Sequence, residues 1–269
     1  MAPEPLATLT FAAWRRFDRA AAARLAAQVA GSVGGRLDRV EEVEHLGAPL
    51  HRVLVERGGR TFALIPGGRV TVGFDAAGWQ PSAELLACYR EESVSQGFGD
   101  GDLRAHLARV LSPRRTVTVP TVLMAVEDEP LDEEPAEMPA VLAQDGLRLP
   151  TPDEWEHACG AGAHTLFRWG DECPLDRIPY GDDTGPHAGP NAFGLHIAHD
   201  TYRSEITSEP GSIYGGDGGE SVCGGYGTVL AWLPLATANR HPDLAEMVFG
   251  ENGDDLTDCL STRPVLPLR

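Results

Sequence analysis

Two stretches of this 269-residue chain combine residue types that can do chemistry. In Gly218-Gly219-Glu220-Ser221-Val222-Cys223-Gly224-Gly225-Tyr226-Gly227 a thiol sits among five glycines. Backbone amides can approach a ligand closely there, or stabilise a thiolate. The other reading of Cys223 is a small apolar side chain inside a tightly coiled segment. The second stretch is His196-Ile197-Ala198-His199-Asp200, with His187 upstream. On a helix this spacing would gather two imidazoles and a carboxylate into a facial site for iron or zinc; in a loop the histidines would bond to backbone or solvent. Asp254, Asp255 and Asp258 follow Asn252-Gly253 and offer either a calcium site or a turn with an exposed face. The five cysteines, Cys88, Cys159, Cys173, Cys223 and Cys259, are odd in number and lack C-x-x-C spacing, which fits neither a disulfide framework nor a zinc ribbon. Most are expected reduced and buried.

The elements that must position these residues follow from spacing and turn chemistry. Phe11, Trp14, Ala21, Leu25 and Val29 recur at helical intervals, so residues 10–30 read as an amphipathic helix that Gly31 stops. Residues 1–35 are therefore assigned to an N-terminal helical extension that packs on the main body or binds a partner. Leu50, Val53 and Val55, then Gly58-Gly59, then Phe62, Leu64 and Ile65 predict a hairpin. Residues 81–96 and 101–112 read as helices, and 114–126 as a strand. Glu127 to Glu137 places seven carboxylates in eleven residues with two prolines, the composition of a solvated loop, with a cation site or a patch for a basic partner as the alternative. From Arg148 the chain reads Arg-Leu-Pro-Thr-Pro-Asp-Glu-Trp-Glu-His-Ala-Cys. Thr151 and Glu154 form a capping box around Pro152 at the first helical position, and Gly160 and Gly162 are placed to end the helix.

That stretch, with Trp169-Gly170-Asp171 after it, resembles the R-L-P-T-x-x-E-W-E-x-A and W-G-D signatures of the formylglycine-generating enzyme family, also called the sulfatase-modifying-factor family. Pro190-Asn191-Ala192-Phe193-Gly194-Leu195 resembles its P-N-x-F-G-L. Ile65-Pro66-Gly67-Gly68-Arg69-Val70-Thr71-Val72-Gly73 is similar to its I-P-G-G-x-F-x-M-G opening. Arg263-Pro264-Val265-Leu266-Pro267-Leu268 resembles its final strand. The resemblance covers roughly residue 60 to the end and implies an α+β fold related to C-type lectin modules, rich in loops, over 36–269 with an insertion around 76–113. Competent members bind copper through a cysteine pair and use oxygen to oxidise a substrate cysteine, in the pattern G-G-S-x-x-C with a second cysteine five residues on. Cys223 matches the first position; Thr228 stands at the second. Cys259, or His196 with His199, are the replacement ligands the sequence offers. A calcium stretch, G-N-V-W-E-W in the family, is replaced here by Asp200-Thr201-Tyr202-Arg203-Ser204-Glu205.

Lys plus Arg total 22 against 40 Asp plus Glu, and a net charge of −18 argues against nucleic acid and against anionic membranes. No apolar run approaches the roughly 18–20 residues of a membrane helix, and no basic-then-apolar leader opens the chain, so a soluble, cytoplasmic protein is expected. Two function classes follow. The first is a noncatalytic or repurposed module binding a protein, peptide or small molecule in a groove to which Trp169, Ser221 and Tyr226 are assigned. The second is a divergent oxidoreductase using Cys223 with a metal and oxygen. An ordinary sulfatase activator fits least, for want of the second cysteine.

Overall fold

Asp18 divides the N-terminal segment. Its carboxylate accepts the Ala21 amide at 2.7 Å, so the expected single helix is two, α1 (Phe11–Trp14) and α2 (Arg19–Ser32), the second running through Gly31. The structure, a computed structural model, describes residues 6, 9–97, 101–182, 184–250 and 257–268. Strands β1 (Arg36–His45), β2 (Ala48–Arg57) and β3 (Arg60–Ile65) follow as an antiparallel meander. Gly58 and Gly59, at φ 60° and 82°, make the two-residue turn whose twist suits a hairpin. Next, β4 (Gly68–Val72) leads into α3 (Ala83–Gln96) and α4 (Leu103–Val110), and β5 (Arg115–Val119) returns beside β4, with Val72 opposite Arg115. This helical excursion thus leaves and re-enters the body at neighbouring rungs.

The strand expected over 114–126 breaks at Pro120, which has no N–H to give a ladder. Beyond it β6 (Val122–Ala125) joins β3 in a different sheet. There follow β7 (Glu129–Pro130), α5 (Met138–Gln144), α6 (Pro152–Gly160), β8 (Ser204–Ile206), β9 (Ile213–Gly215), α7 (Glu220–Gly224), α8 (Thr228–Trp232), α9 (Pro242–Phe249), β10 (Leu260–Thr262) and β11 (Val265–Pro267). The sheets order as β1-β2-β3-β6-β11, β7-β10-β8-β9 and β4-β5, antiparallel throughout except the parallel β10–β8 pair. The chain is therefore a mixed α+β protein, and its last strand closes the first sheet against β6. One hydrophobic core joins Trp14, Ala22 and Ala26 of the N-terminal helices to Val53 and Val55 of β2, to Trp155 and to Trp232. The Trp14 indole donates to the His51 carbonyl at 3.0 Å.

The sequence signatures turn out to be joints around α6. Thr151 accepts the Glu154 amide (3.2 Å) and Glu154 accepts the Thr151 amide (2.8 Å), while Arg148 grips the same buried carboxylate with two bonds of 2.6 and 2.7 Å. Trp155 stacks on Tyr214 at 4.5 Å and donates to Glu205 at 2.7 Å. Glu156, also buried, accepts from Tyr214, Ser112 and Arg115. His157 donates to the Pro66 carbonyl at 2.8 Å, which docks the Ile65-Pro66-Gly67-Gly68 stretch. A side chain at Gly67 would start 2.3 Å from the Val119 carbonyl oxygen, so only glycine fits there. The far end of α6 is capped by the third signature: the Asn191 amide donates to the Ala158 and Cys159 carbonyls at 2.7 and 3.0 Å, and its oxygen accepts the amides of Phe193, Gly194 and Leu195. The helix ends at Gly160, and the left-handed residues that follow are Ala161, φ 48°, and Gly162, φ 86°.

Arg263 ties these parts together. Fully buried, it forks onto Glu205 of β8 with bonds of 2.8 and 2.6 Å and donates to the carbonyls of Ala125, Val126 and His196. Replacing Arg263 with Met would leave Glu205 buried without its countercharge. The expected loss of stability is about 3–5 kcal/mol in urea unfolding, and adding Glu205→Gln in the same chain should regain most of it.

Candidate functional site

The helical excursion and the C-terminal segments face each other across a cleft of about 550 Å³, within the size range of small-molecule sites. Tyr89 of α3 and Ala105, His106 and Arg109 of α4 form one wall. Opposite stand Asp217, Glu220 and Ser221, then Leu230 of α8, with His241, Asp243 and Leu244 at the start of α9. The walls are fastened by Glu92 of α3, whose carboxylate accepts the Thr228 amide (2.5 Å) and the Val229 amide (3.0 Å) and so caps α8.

Asp217 shapes the floor. Buried, it accepts the Tyr180 hydroxyl and the amides of Gly219 and Ser221, both at 2.9 Å. Gly218 and Gly219, at φ 70° and 84°, supply the left-handed turn that brings those amides round to it. Ser221 donates its hydroxyl to the Leu230 carbonyl at 3.1 Å, so its oxygen is held as a structural donor. Tyr226 lies over Gly224, where a Cβ would start 2.2 Å from the ring.

The two cleft imidazoles are neutral near pH 7. Burial, helped by the Arg109 charge, pushes His106 down to about 4. Burial likewise lowers His241, against the pull of Asp217. His241 adopts φ 44°, a left-handed conformation that costs energy in a residue with a Cβ. Its ring lies by the carbonyls of Pro234 and Gly215, but Nε2, sealed from solvent, makes no hydrogen bond of good geometry to either. The Glu220 carboxyl is pushed up by burial, then by Asp217 and Asp243.

Of the three residues assigned to a groove, Ser221 and Tyr226 meet in this cleft and Trp169 does not. Trp169 is stacked on Phe167 at 4.7 Å, donates to the Glu172 carbonyl, and lines a separate surface hollow with Trp79. Cys223 is exposed on α7. Cys88, Cys159 and Cys173 are pushed by burial up to about 11, 12 and 12, which keeps them thiols at neutral pH. Cys259 packs against Gly218, its sulfur 3.7 Å from where a Cβ would stand.

The metal readings meet a different arrangement. His196-Ile197-Ala198-His199-Asp200 is a turn rather than a helix, with ring centroids of His196 and His199 5.9 Å apart. His196 pairs with Glu127, while Asp200 accepts the Tyr202 amide at 3.0 Å and meets Arg203 at 3.4 Å. Among the described residues no three His, Cys, Asp or Glu side chains converge to hold a metal. The residues do not fit the copper pair that the resemblance implies, since the second position is Thr228 at the capped start of α8. Nor do they fit its calcium stretch, whose carboxylates Asp200 and Glu205 are already engaged. Asp254 and Asp255 lie outside the described residues. The acidic run is half bound: Glu127, Asp128 and Glu129 face His196, Arg263 and Arg60, and Asp132, Glu133, Glu134 and Glu137 are exposed.

No protein-family model matches the chain, and no curated protein matches it significantly. Among the described residues no helix is long and apolar enough to cross a membrane.

His106 gives the site a pH signature. Its folded value lies below the unfolded 6.5, so on acidification the unfolded chain takes up the proton first, and the stability present above that value is lost as pH falls towards about 4. Between about pH 7 and pH 4.5 the protein should lose roughly 2 kcal/mol more than His106→Asn in urea unfolding.

Proposed function

We propose that this chain is a divergent formylglycine-generating-enzyme-like protein, repurposed as a ligand-binding module rather than a sulfatase activator. The cleft between the helical excursion and the C-terminal loop is its binding site. The observation that carries this reading is that cleft, which gathers Ser221 and Tyr226 with a buried imidazole nitrogen lacking a partner. The signature residues support the same view, because Arg148, Glu154, Trp155 and Asn191 are all occupied in holding α6. A fold can keep such joints while its chemistry changes.

A second reading, a metal- and oxygen-dependent oxidoreductase acting on a peptide or small molecule, draws on the exposure of Cys223 and on Cys259 packing against the same loop at Gly218. Copper(I) titration of the reduced protein under anaerobic conditions, beside Cys223→Ala, separates the two. The binding module predicts no tight one-to-one complex that depends on Cys223. Such a complex, lost in the variant, would overturn it in favour of the oxidoreductase.

The cleft itself is tested by filling it. Ala105 is exposed on the α4 wall. Ala105→Trp should therefore fold with unchanged thermal stability, yet lose at least roughly tenfold in affinity for any small molecule that raises the melting temperature of the parent. Undiminished binding would place the ligand elsewhere.

A further inference from the structure

We infer that the cleft takes an organic cation, an amine or quaternary ammonium carried on an apolar or aromatic body, with Glu220 as its counter-ion. This rests on reading the cleft as a binding site and names the class of ligand.

Four carboxylates line the cleft, Asp102, Asp217, Glu220 and Asp243, against one guanidinium, Arg109. Three of the four are committed. Asp102 accepts the Ala105 amide at 3.1 Å and caps α4. Asp217 holds Tyr180 and two loop amides. Asp243 pairs with Arg109 at 3.0 Å, which also cancels the one fixed positive charge of the lining. Neither His106 nor His241 supplies a countercharge, since burial keeps both neutral near pH 7. Glu220 is left with no side-chain partner among the described residues, facing Asp217 and Asp243 at close enough range to feel both. A bound cation would relieve that repulsion.

His241 is the independent observation. Its imidazole lines the cleft and carries a buried Nε2 with no hydrogen-bond partner, a polar group that burial normally leaves satisfied. Leu230, Leu233 and Leu244 give the opposite character, an apolar wall for the body of the ligand, and Tyr89 and Tyr226 add aromatic faces that favour a cation. A bare metal ion is the wrong match, because no three ligating side chains converge among the described residues. Phosphate and carboxylate ligands are opposed by the excess of negative charge.

The experiment uses two probes of one shape, 2-phenylethylammonium and 2-phenylethanol, titrated into the ¹⁵N-labelled full chain and into Glu220→Gln. Glu220 is exposed on a short helix, so the variant should fold as the parent does. The ammonium compound is expected to bind about tenfold more tightly than the alcohol, the size of one charge-assisted hydrogen bond, with shifts centred on the loop amides from Glu220 to Leu230. Glu220→Gln should close the gap between the two. Equal affinity of the two probes for the parent would overturn the cation while leaving the cleft a binding site. An ammonium preference unchanged in Glu220→Gln would overturn the counter-ion. No saturable shift with either probe would overturn both the ligand class and the binding-module reading beneath it.

Discussion

The forked pair between Arg263 and Glu205 is the constraint on which the rest of the molecule depends. Burying a guanidinium and a carboxylate is costly unless geometry is good and the remaining donors are used. Here the pair makes two bonds of 2.6 and 2.8 Å, and the guanidinium also reaches three backbone carbonyls. Those partners come from different parts of the chain: the end of β6, the turn at His196, and β8. Arg263 itself stands between β10 and β11, which lie in different sheets. One side chain near the C-terminus thus fixes how two sheets meet, and Trp155 extends the joint into α6 through the same carboxylate. Burial pushes the Glu205 carboxyl up, and the contacts with Arg263 and Trp155 oppose that rise.

Around α6 much of this was legible in the sequence, because the relevant physics is local. Thr151, Pro152 and Glu154 announce a capped helix from spacing alone, and Gly58-Gly59 announces a hairpin. What spacing cannot announce is the partner of each signature residue. Nothing in the order of residues says that Asn191 caps a helix that ended some thirty positions earlier, or that His157 reaches Pro66. The errors have the same origin. Asp18 interrupts a pattern of apolar spacing that would otherwise continue, and Pro120 sends two halves of an apparently continuous strand into different sheets. In both cases a single hydrogen-bonding fact outweighs periodicity.

The candidate site was less legible. Ser221 and Tyr226 were reachable through the glycine density of their loop, and Asp217, lying between two glycine pairs, carried the same signal. His106 and Arg109 did not, since they sit in a helix with ordinary amphipathic spacing and enter the site only through the docking of α4. His241 left still less trace, as a left-handed residue before a proline is decided by its surroundings. Trp169 was drawn towards a groove by its type, whereas its ring is used up by Phe167 and Trp232.

The excursion of α3 and α4 departs from β4 and returns on β5 at adjacent rungs, and its outer holds on the body include the Glu92 carboxylate at the start of α8 and the Arg109–Asp243 pair. A segment attached in this way can lengthen, shorten or be exchanged without moving a strand of the larger sheets. The scaffold and the α3–α4 wall of the cleft are in that sense separate heritable parts.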